Sequence, residues 1–413
     1  MKDIVINEAT NKQKFEKKWL DKNVFEAALE RLTFVYENFE KVYISFSGGK
    51  DSTVMLYLAI KVAKELNKLP VNVLYIDFEA QYKATIKHVE EMLIGNDDVK
   101  PYWICLPFNL RNAVSVFQPQ WMCWDPDAKD KWVREMPKYD CVISDPDYFP
   151  FFKKGMEFEH FVVEFGKWFS EDGKKLTACG VGIRTQESID RFRTLKNEKK
   201  GRFQGKFWTT KIAENLYNFY PIYDWRTEDI WTAVGKNGWK YNKIYDLMYM
   251  QGKSIHESRI CQPYGFDQRK GLDLFRALEP ETWAKLVDRV SGANFGNIYC
   301  NTFALGYRKI HLPEGHTWKS YYEFLLETLP KFEKIWYLER FEKWFDWWEK
   351  HGWPRDKIPD AADPKLESQK KVPSYRRLVK CILKNDKLCK SLSFSQRKND
   401  YEHYIELKEM YGE

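Results

Sequence analysis

The chain has 413 residues, 44% of them hydrophobic and 31% charged, with a net charge of +7. That is more chain than one core usually organises, so a main domain with extensions is expected. Its eight cysteines contain no C-x-x-C pair, which excludes a recognisable four-cysteine zinc or iron–sulfur site.

The first twenty residues lack the apolar stretch of a signal peptide, and no window has the roughly 18 apolar residues a spanning helix needs. The expectation is a soluble, cytoplasmic protein with reduced thiols and no membrane association. Aromatic residues reach 17%, with 17 tryptophans, which suggests aromatic-rich helix packing or binding surfaces.

In chain order, residues 13–38 read as a helix, with Trp19, Phe25, Leu29, Leu32 and Val35 at helical spacing. Val42 to Phe46 reads as a buried strand and Ser52 to Leu66 as a helix. "VNVLYIDFE", "PYWICLPF" and "LTACGVGIR" read as further strands, with helical patterns such as Thr85 to Leu93 between them. Strands alternating with helices predict a parallel α/β sheet. Trp121 to Phe152, rich in Pro, Asp and Trp, reads as irregular. "PETWAKLVDRV" and "SYYEFLLETLPKFEKIWYLERFEKWFDWWEK" read as helices, the latter stopped by Gly352 and Pro354. "IPDAADPKLESQKKVP" reads as a linker before a basic helical segment, Ser374 to Asn385. The expected division is a helical arm (1–38), a nucleotide-binding α/β domain (39–270) and an aromatic-rich helical extension with a basic tail (271–413).

The chemistry concentrates at Ser47-Gly48-Gly49-Lys50-Asp51-Ser52, between the first strand and the next helix. Glycines let the backbone approach a ligand and take positive φ. The helix that follows points free N–H groups and its positive dipole end at the same place. Ser47 and Ser52 add hydroxyls, and Lys50 adds a mobile charge. This suits a polyphosphate, although the spacing is neither that of a Walker A loop nor that of a G-x-G-x-x-G turn.

"SGGKDS" resembles the PP-loop signature S-G-G-x-D-S of ATP pyrophosphatases. "GVGIRTQESIDR" and "YPIYDWRTEDIW" are similar to segments of the phosphoadenosine-phosphosulfate-reductase-like branch of that superfamily. "RICQPYGFDQRKGL", "LPEGHTWKSYYEFL" and "VPSYRRLVKCILKND" resemble its DUF3440 subfamily. The resemblance implies a PP-loop core, like that of the adenine nucleotide α-hydrolases, carrying helical N- and C-terminal extensions. It also implies ATP or phosphoadenosine phosphosulfate with Mg²⁺, and cleavage between the α- and β-phosphates to activate an acceptor or transfer sulfur. A ParB/sulfiredoxin-like partner is implied as well. The alternative is a nucleotide-gated DNA-binding or regulatory component acting with that partner.

Ser47, Gly48, Gly49, Lys50, Asp51 and Ser52 are the expected phosphate cradle. Arg184, at the end of "VGIR", is expected to join Lys50 as a catalytic cation, because guanidinium grips phosphate oxygens bidentately. Asp77 and Glu79 follow the second strand, where the carboxyl ends of parallel strands line a ligand crevice. A carboxylate there suits a metal or a ribose hydroxyl, or equally forms an ordinary acidic turn; on the first reading Asp51 and Asp77 are the expected metal ligands. The backbone of Phe78 is expected to meet the adenine edge, by analogy with the fold. Glu187 and Ser188 read as capping the next helix, with Arg191 one turn beyond Glu187 as its partner. Thr227 reads as an N-cap, and Trp225 and Trp231 as core residues.

The E-C-G-L-H motif of sulfonucleotide reductases is absent, which counts against reduction. Cys261, beside Arg259 and Arg269, is the best remaining candidate for a nucleophilic thiol but reads first as a packed core cysteine, and Cys381 reads as a buried, inert one. Tyr337, Phe341, Trp344 and Trp348 fall on one helix face and read as a packed interface. The tail places Lys370, Lys371, Arg376, Arg377, Lys380, Lys384, Lys387, Lys390, Arg397 and Lys398 together. Arg377, Lys380 and Lys384 read as an outward stripe that suits nucleic-acid phosphates, or equally a solvated helix face.

Overall fold

Six-residue apolar runs rich in Val, Ile and Tyr form the strands at the centre of the molecule. The computed structural model describes residues 21–113, 118, 120–196, 201–265, 272–290, 310, 312–384, 386–387, 389–394 and 398–411. In order, the sheet strands are β1 (Lys41–Phe46), β2 (Val71–Ile76) and β3 (Val99–Ile104). A short hairpin of β4 (Asn109–Arg111) and β5 (Gln120–Met122) follows, then β6 (Val142–Ile143), β7 (Thr177–Val181), β8 (Thr209–Ala213) and β9 (Leu216–Phe219). Seven of them make one sheet in the order β6-β3-β2-β1-β7-β9-β8, parallel throughout except for the edge strand β8. β1 pairs with both β2 and β7, so the loops after these three strands open at one carboxyl edge. The α/β expectation holds.

The helices of this part are α1 (Val24–Asn38), α2 (Lys50–Glu65), α3 (Lys83–Leu93), α4 (Phe158–Phe169), α5 (Ile189–Lys196) and α6 (Thr227–Asn237). Then come α7 (Ile244–Met250), α8 (Leu272–Leu278) and α9 (Pro280–Arg289). Helix α1 starts later than its periodicity predicts. Asn23 caps it, accepting from the amides of Phe25 and Glu26 at 3.0 and 2.9 Å, and Glu26 returns a bond to the Asn23 amide. The earlier part of that expected helix, including Trp19, lies outside the described residues. Trp225 is buried, and Trp231 is half-buried against the same core. Phe275, Leu286 and Val290 of the α8–α9 region also belong to it.

A second apolar cluster is built from the helices Trp318–Thr328, Lys331–Lys350 and Tyr375–Leu383, joined by Tyr404 and Leu407 of the Lys398–Tyr411 helix. Tyr337, Phe341, Trp344 and Trp348 are all buried in it, as their spacing predicts. The long helix of the sequence reading is two helices. Leu329, preceding Pro330, is extended (φ −77°, ψ 150°), because the proline ring disfavours a helical residue before it.

The segment read as a linker is tied down. The Asp360 carboxylate accepts from the amides of Trp318 and Lys319 at the start of a helix. Glu367, on the short Pro364–Ser368 helix, is buried and bonded to Ser374 and Arg376. Burial alone would raise its carboxyl pKa, yet those hydrogen bonds hold it below the usual range.

These contacts also correct the basic stripe. Arg377 is 5% exposed and points inward, donating to the carbonyls of Val372 and Ser391 at 2.6 and 3.2 Å. Arg376 pairs with Glu367 at 2.9 Å, Lys380 lies 3.5 Å from the same carboxylate, and Lys387 pairs with Glu333 at 2.5 Å. The opposing acids come from other elements, so the local sequence hid them, and no outward cationic face runs along Arg377, Lys380 and Lys384. Arg397 lies outside the described residues.

Candidate functional site

At the carboxyl end of β1 the chain turns through Ser47, Gly48 and Gly49 into α2. Gly48 has φ +71°, and a Cβ there would lie 3.0 Å from Val89 Cγ2 and 3.2 Å from Thr85 Cγ2, so both conformation and space call for glycine. Gly49 is the N-cap and brings no side chain. The turn is knitted by hydroxyls. Ser52 Oγ accepts from the Ser47 amide at 3.1 Å and lies 2.9 Å from Ser47 Oγ. The first intrahelical bond runs from the Thr53 amide to the Gly49 carbonyl, so the amides of Asp51 and Ser52 precede it.

Lys50 departs from the mobile cation of the sequence reading. It is 4% exposed, with Nζ bonded to the Ser258 carbonyl at 3.0 Å and 5.1 Å from the centre of the Tyr245 ring. Burial lowers its pKa, against the pull of Asp51. Asp51 is ion-paired with Arg184 and lies 3.6 Å from Lys50 Nζ. Arg184, 2% exposed, also donates to Gln186 Oε1 at 3.1 Å and Thr227 Oγ1 at 3.3 Å. The structure therefore brings the loop, Lys50, Asp51 and Arg184 together. Arg191 pairs with Glu187 at 2.5 Å as expected. Thr227 is not the cap of α6: Arg226 occupies that position, and the Thr227 hydroxyl serves Arg184 instead.

Asp77 and Glu79 are placed differently. Both are fully buried. Asp77 is ion-paired with Arg134 and accepts from Trp103 Nε1 at 2.9 Å and from the Glu79 amide at 3.0 Å. Glu79 accepts from Arg289 at 2.8 and 3.1 Å and from the amides of Trp124 and Val133 at 2.7 and 2.9 Å. The Asp77 carbonyl takes the Trp124 indole N–H at 2.7 Å. Phe78 bonds its carbonyl to the Ala80 amide and packs its ring against Phe158 at 5.2 Å. With both oxygens bonded, Asp77 does not fit a protein-held Mg²⁺, whereas Asp51 meets Arg184 through Oδ1 and leaves Oδ2 3.6 Å from Lys50 Nζ. Among the described residues no group of three His, Cys, Asp or Glu side chains suits a metal.

Several site residues carried no signal in the sequence. Asn242, fully buried, donates to the Gly48 carbonyl and Thr85 Oγ1, each at 3.0 Å. Tyr245 accepts from the Lys50 amide at 3.0 Å across 195 residues of chain. Thr53 Oγ1 links the Gly49 carbonyl to His88 Nε2, each at 2.9 Å. Gly182 approaches α2 so closely that a Cβ would stand 3.2 Å from Ser52 N.

A phosphoadenosine phosphosulfate reductase domain model matches residues 41–94 and 170–252, and a domain of unknown function, DUF3440, matches 252–357 and 355–403. The chain is 39% identical over 391 residues to YbdN of Escherichia coli K12, covering 93% of this chain and 94% of that one. It belongs to the phosphoadenosine phosphosulfate reductase-like branch of the PP-loop superfamily, in its DUF3440 subfamily. MJ0973 of Methanocaldococcus jannaschii is 25% identical over 203 residues, which is 49% of this chain and 38% of that relative. The chain is also similar to a phosphoadenylyl-sulfate reductase from Candida auris solved with phosphate: 14% identity, 60% of this chain, 98% of that one, TM-score 0.33. Membership makes the loop that of a nucleotide-binding enzyme family. Among the described residues no helix is long and apolar enough to cross a membrane.

Proposed function

We propose that this PP-loop domain binds ATP, or phosphoadenosine phosphosulfate, through Ser47 to Ser52 and Arg184. With ATP, it cleaves between the α- and β-phosphates to activate an acceptor or to prepare sulfur transfer. The observation that carries the reading is the strand-to-helix turn itself. It leaves the amides of Asp51 and Ser52 and the Ser47 hydroxyl around a side-chain-free Gly48-Gly49 turn, which Ser52 Oγ braces by accepting from the Ser47 amide and donating to the Gly49 carbonyl. Arg184 stands beside it, on Asp51. An acceptor oxygen attacking the α-phosphorus expels pyrophosphate, whose growing charge these donors and Arg184 stabilise. Mg²⁺ belongs to this scheme as part of the nucleotide substrate.

The thiols favour activation over reduction. Of the residues weighed as nucleophiles, Cys381 is fully buried, and burial together with nearby Cys389 keeps it a thiol. Cys261 is half-buried, three residues beyond the Ser258 carbonyl that receives Lys50.

The test is release of pyrophosphate from magnesium ATP with transfer of the adenylyl group to hydroxylamine as a surrogate acceptor. Arg184→Ala should slow the parent rate about a hundredfold, the scale of losing one preorganised charge contact. Tight binding without turnover of either nucleotide would refute cleavage and support a regulatory, nucleotide-responsive role.

A further inference from the structure

The hydroxyl of Tyr245 stands at the mouth of α2, yet the residue belongs to α7, far from the loop motif. Its oxygen accepts from the Lys50 amide at 3.0 Å and lies 3.4 Å from where a Cβ on Gly49 would sit. Ser47 Oγ flanks that same point at 3.3 Å. Tyr245 is 5% exposed. Among the described residues its hydroxyl makes this one hydrogen bond, as an acceptor, so its own hydrogen has no acceptor. A phenol both donates and accepts, and buried polar groups normally use their hydrogen-bonding capacity.

The position is firmly held. Asn242, three residues earlier, is fully buried and fastened to Gly48 and Thr85. The Tyr245 ring meets Trp231 edge-on at 5.5 Å, and Lys50 Nζ lies over its face. An unsatisfied donor is therefore fixed beside the amides and the hydroxyl that the preceding reading assigns to phosphate.

We propose that Tyr245 is a phosphate ligand of this site, accepting from the Lys50 amide while donating its hydroxyl hydrogen to an oxygen of the bound di- or triphosphate. The proposal rests on the polyphosphate reading of the loop. It extends the cradle beyond the hexapeptide and makes the Lys50 amide act through the phenol rather than on the anion directly. Burial pushes the phenol's pKa up, so it remains a proton donor across the physiological range. A hydrogen bond that polarises a second one strengthens it, so the amide adds to the donor power of the hydroxyl.

Calorimetric titration of the parent and Tyr245→Phe with inorganic pyrophosphate and with ATP tests this. Loss of one hydrogen bond to a charged group should weaken both ligands roughly ten- to hundredfold in the variant. If the parent binds neither ligand, the polyphosphate reading itself fails and takes the proposal with it. If the parent binds and Tyr245→Phe binds equally or more tightly, only the Tyr245 assignment is overturned. Tighter binding would mean that the freed Lys50 amide takes the anion itself. A crystal structure of the parent with pyrophosphate supplies a measurement that does not depend on the variant folding. A phosphate oxygen within hydrogen-bonding distance of the Tyr245 hydroxyl supports the assignment, and a nearest oxygen beyond about 4 Å overturns it.

Discussion

At the scale of single residues, the site depends on glycines and on polar groups packed beneath the loop. Gly48→Ala should cost about 1–2 kcal/mol from left-handed backbone strain alone, because Ala is disfavoured at positive φ. The contact with Val89 adds to this, and denaturant titration should show the loss together with weaker pyrophosphate binding. His88 offers a pH test. It is 2% exposed, and burial lowers its pKa from 6.5 to about 4, so it is neutral beneath the loop at pH 7. The unfolded chain takes up the proton first as pH falls below 6.5. Stability is therefore complete above 6.5 and declines as pH drops towards 4. Between pH 7 and 5 the parent should lose about 2 kcal/mol more than His88→Gln in parallel denaturation series. Equal losses would show that His88 titrates normally. The "SGGKDS" signature was legible in the sequence because its residues are contiguous. His88, Asn242 and Tyr245 were not, since nothing local marks a histidine, asparagine or tyrosine whose partner is fixed by chain crossing.

At the scale of elements, the helices and strands followed their hydrophobic periods, while the placement of their charged side chains did not. The Tyr375–Leu383 helix is the clearest case. Its local sequence is basic, and its counter-charges sit on Glu367 and, for Lys387 just beyond it, on Glu333. Arg377 is turned into the aromatic cluster, its guanidinium 5.6 Å from the centre of the Trp344 ring. Arg377→Ala should therefore lower the unfolding midpoint by several degrees, because a buried side chain loses its packing against Trp344 together with two hydrogen bonds to part-buried carbonyls. Lys384→Glu, at an exposed position, should leave the midpoint within about 1 °C, since surface substitutions usually change stability little. Equal shifts from the two substitutions would contradict the inward placement of Arg377. The same reasoning applies to β2, after which Asp77 and Glu79 lie at the expected carboxyl end and pair with Arg134 and Arg289, cations from distant parts of the chain.

At the scale of the molecule, the α8–α9 region is joined to the α/β core through both apolar burial and the Arg289–Glu79 pair. A cut at residue 270, where composition changes, removes Arg289 and leaves a buried carboxylate without its cation. Breaking a buried pair from one side typically costs about 3–5 kcal/mol. A chain ending at 270 should accordingly be insoluble or unfold at much lower denaturant than one ending at 290. Circular dichroism and denaturation of the two would decide it, and indistinguishable stabilities would place the boundary back at 270.

The sequence by itself determined the parallel α/β core, the strand-to-helix glycine turn and the family, because period-two and period-3.6 patterns and a contiguous motif are local properties of the chain. Tertiary structure alone decided which charges were available. A carboxylate or guanidinium looks the same in sequence whether it meets water, a ligand or a buried partner. Asp77, Glu79 and Arg377 were assigned only when elements far apart in the chain were brought within hydrogen-bonding distance.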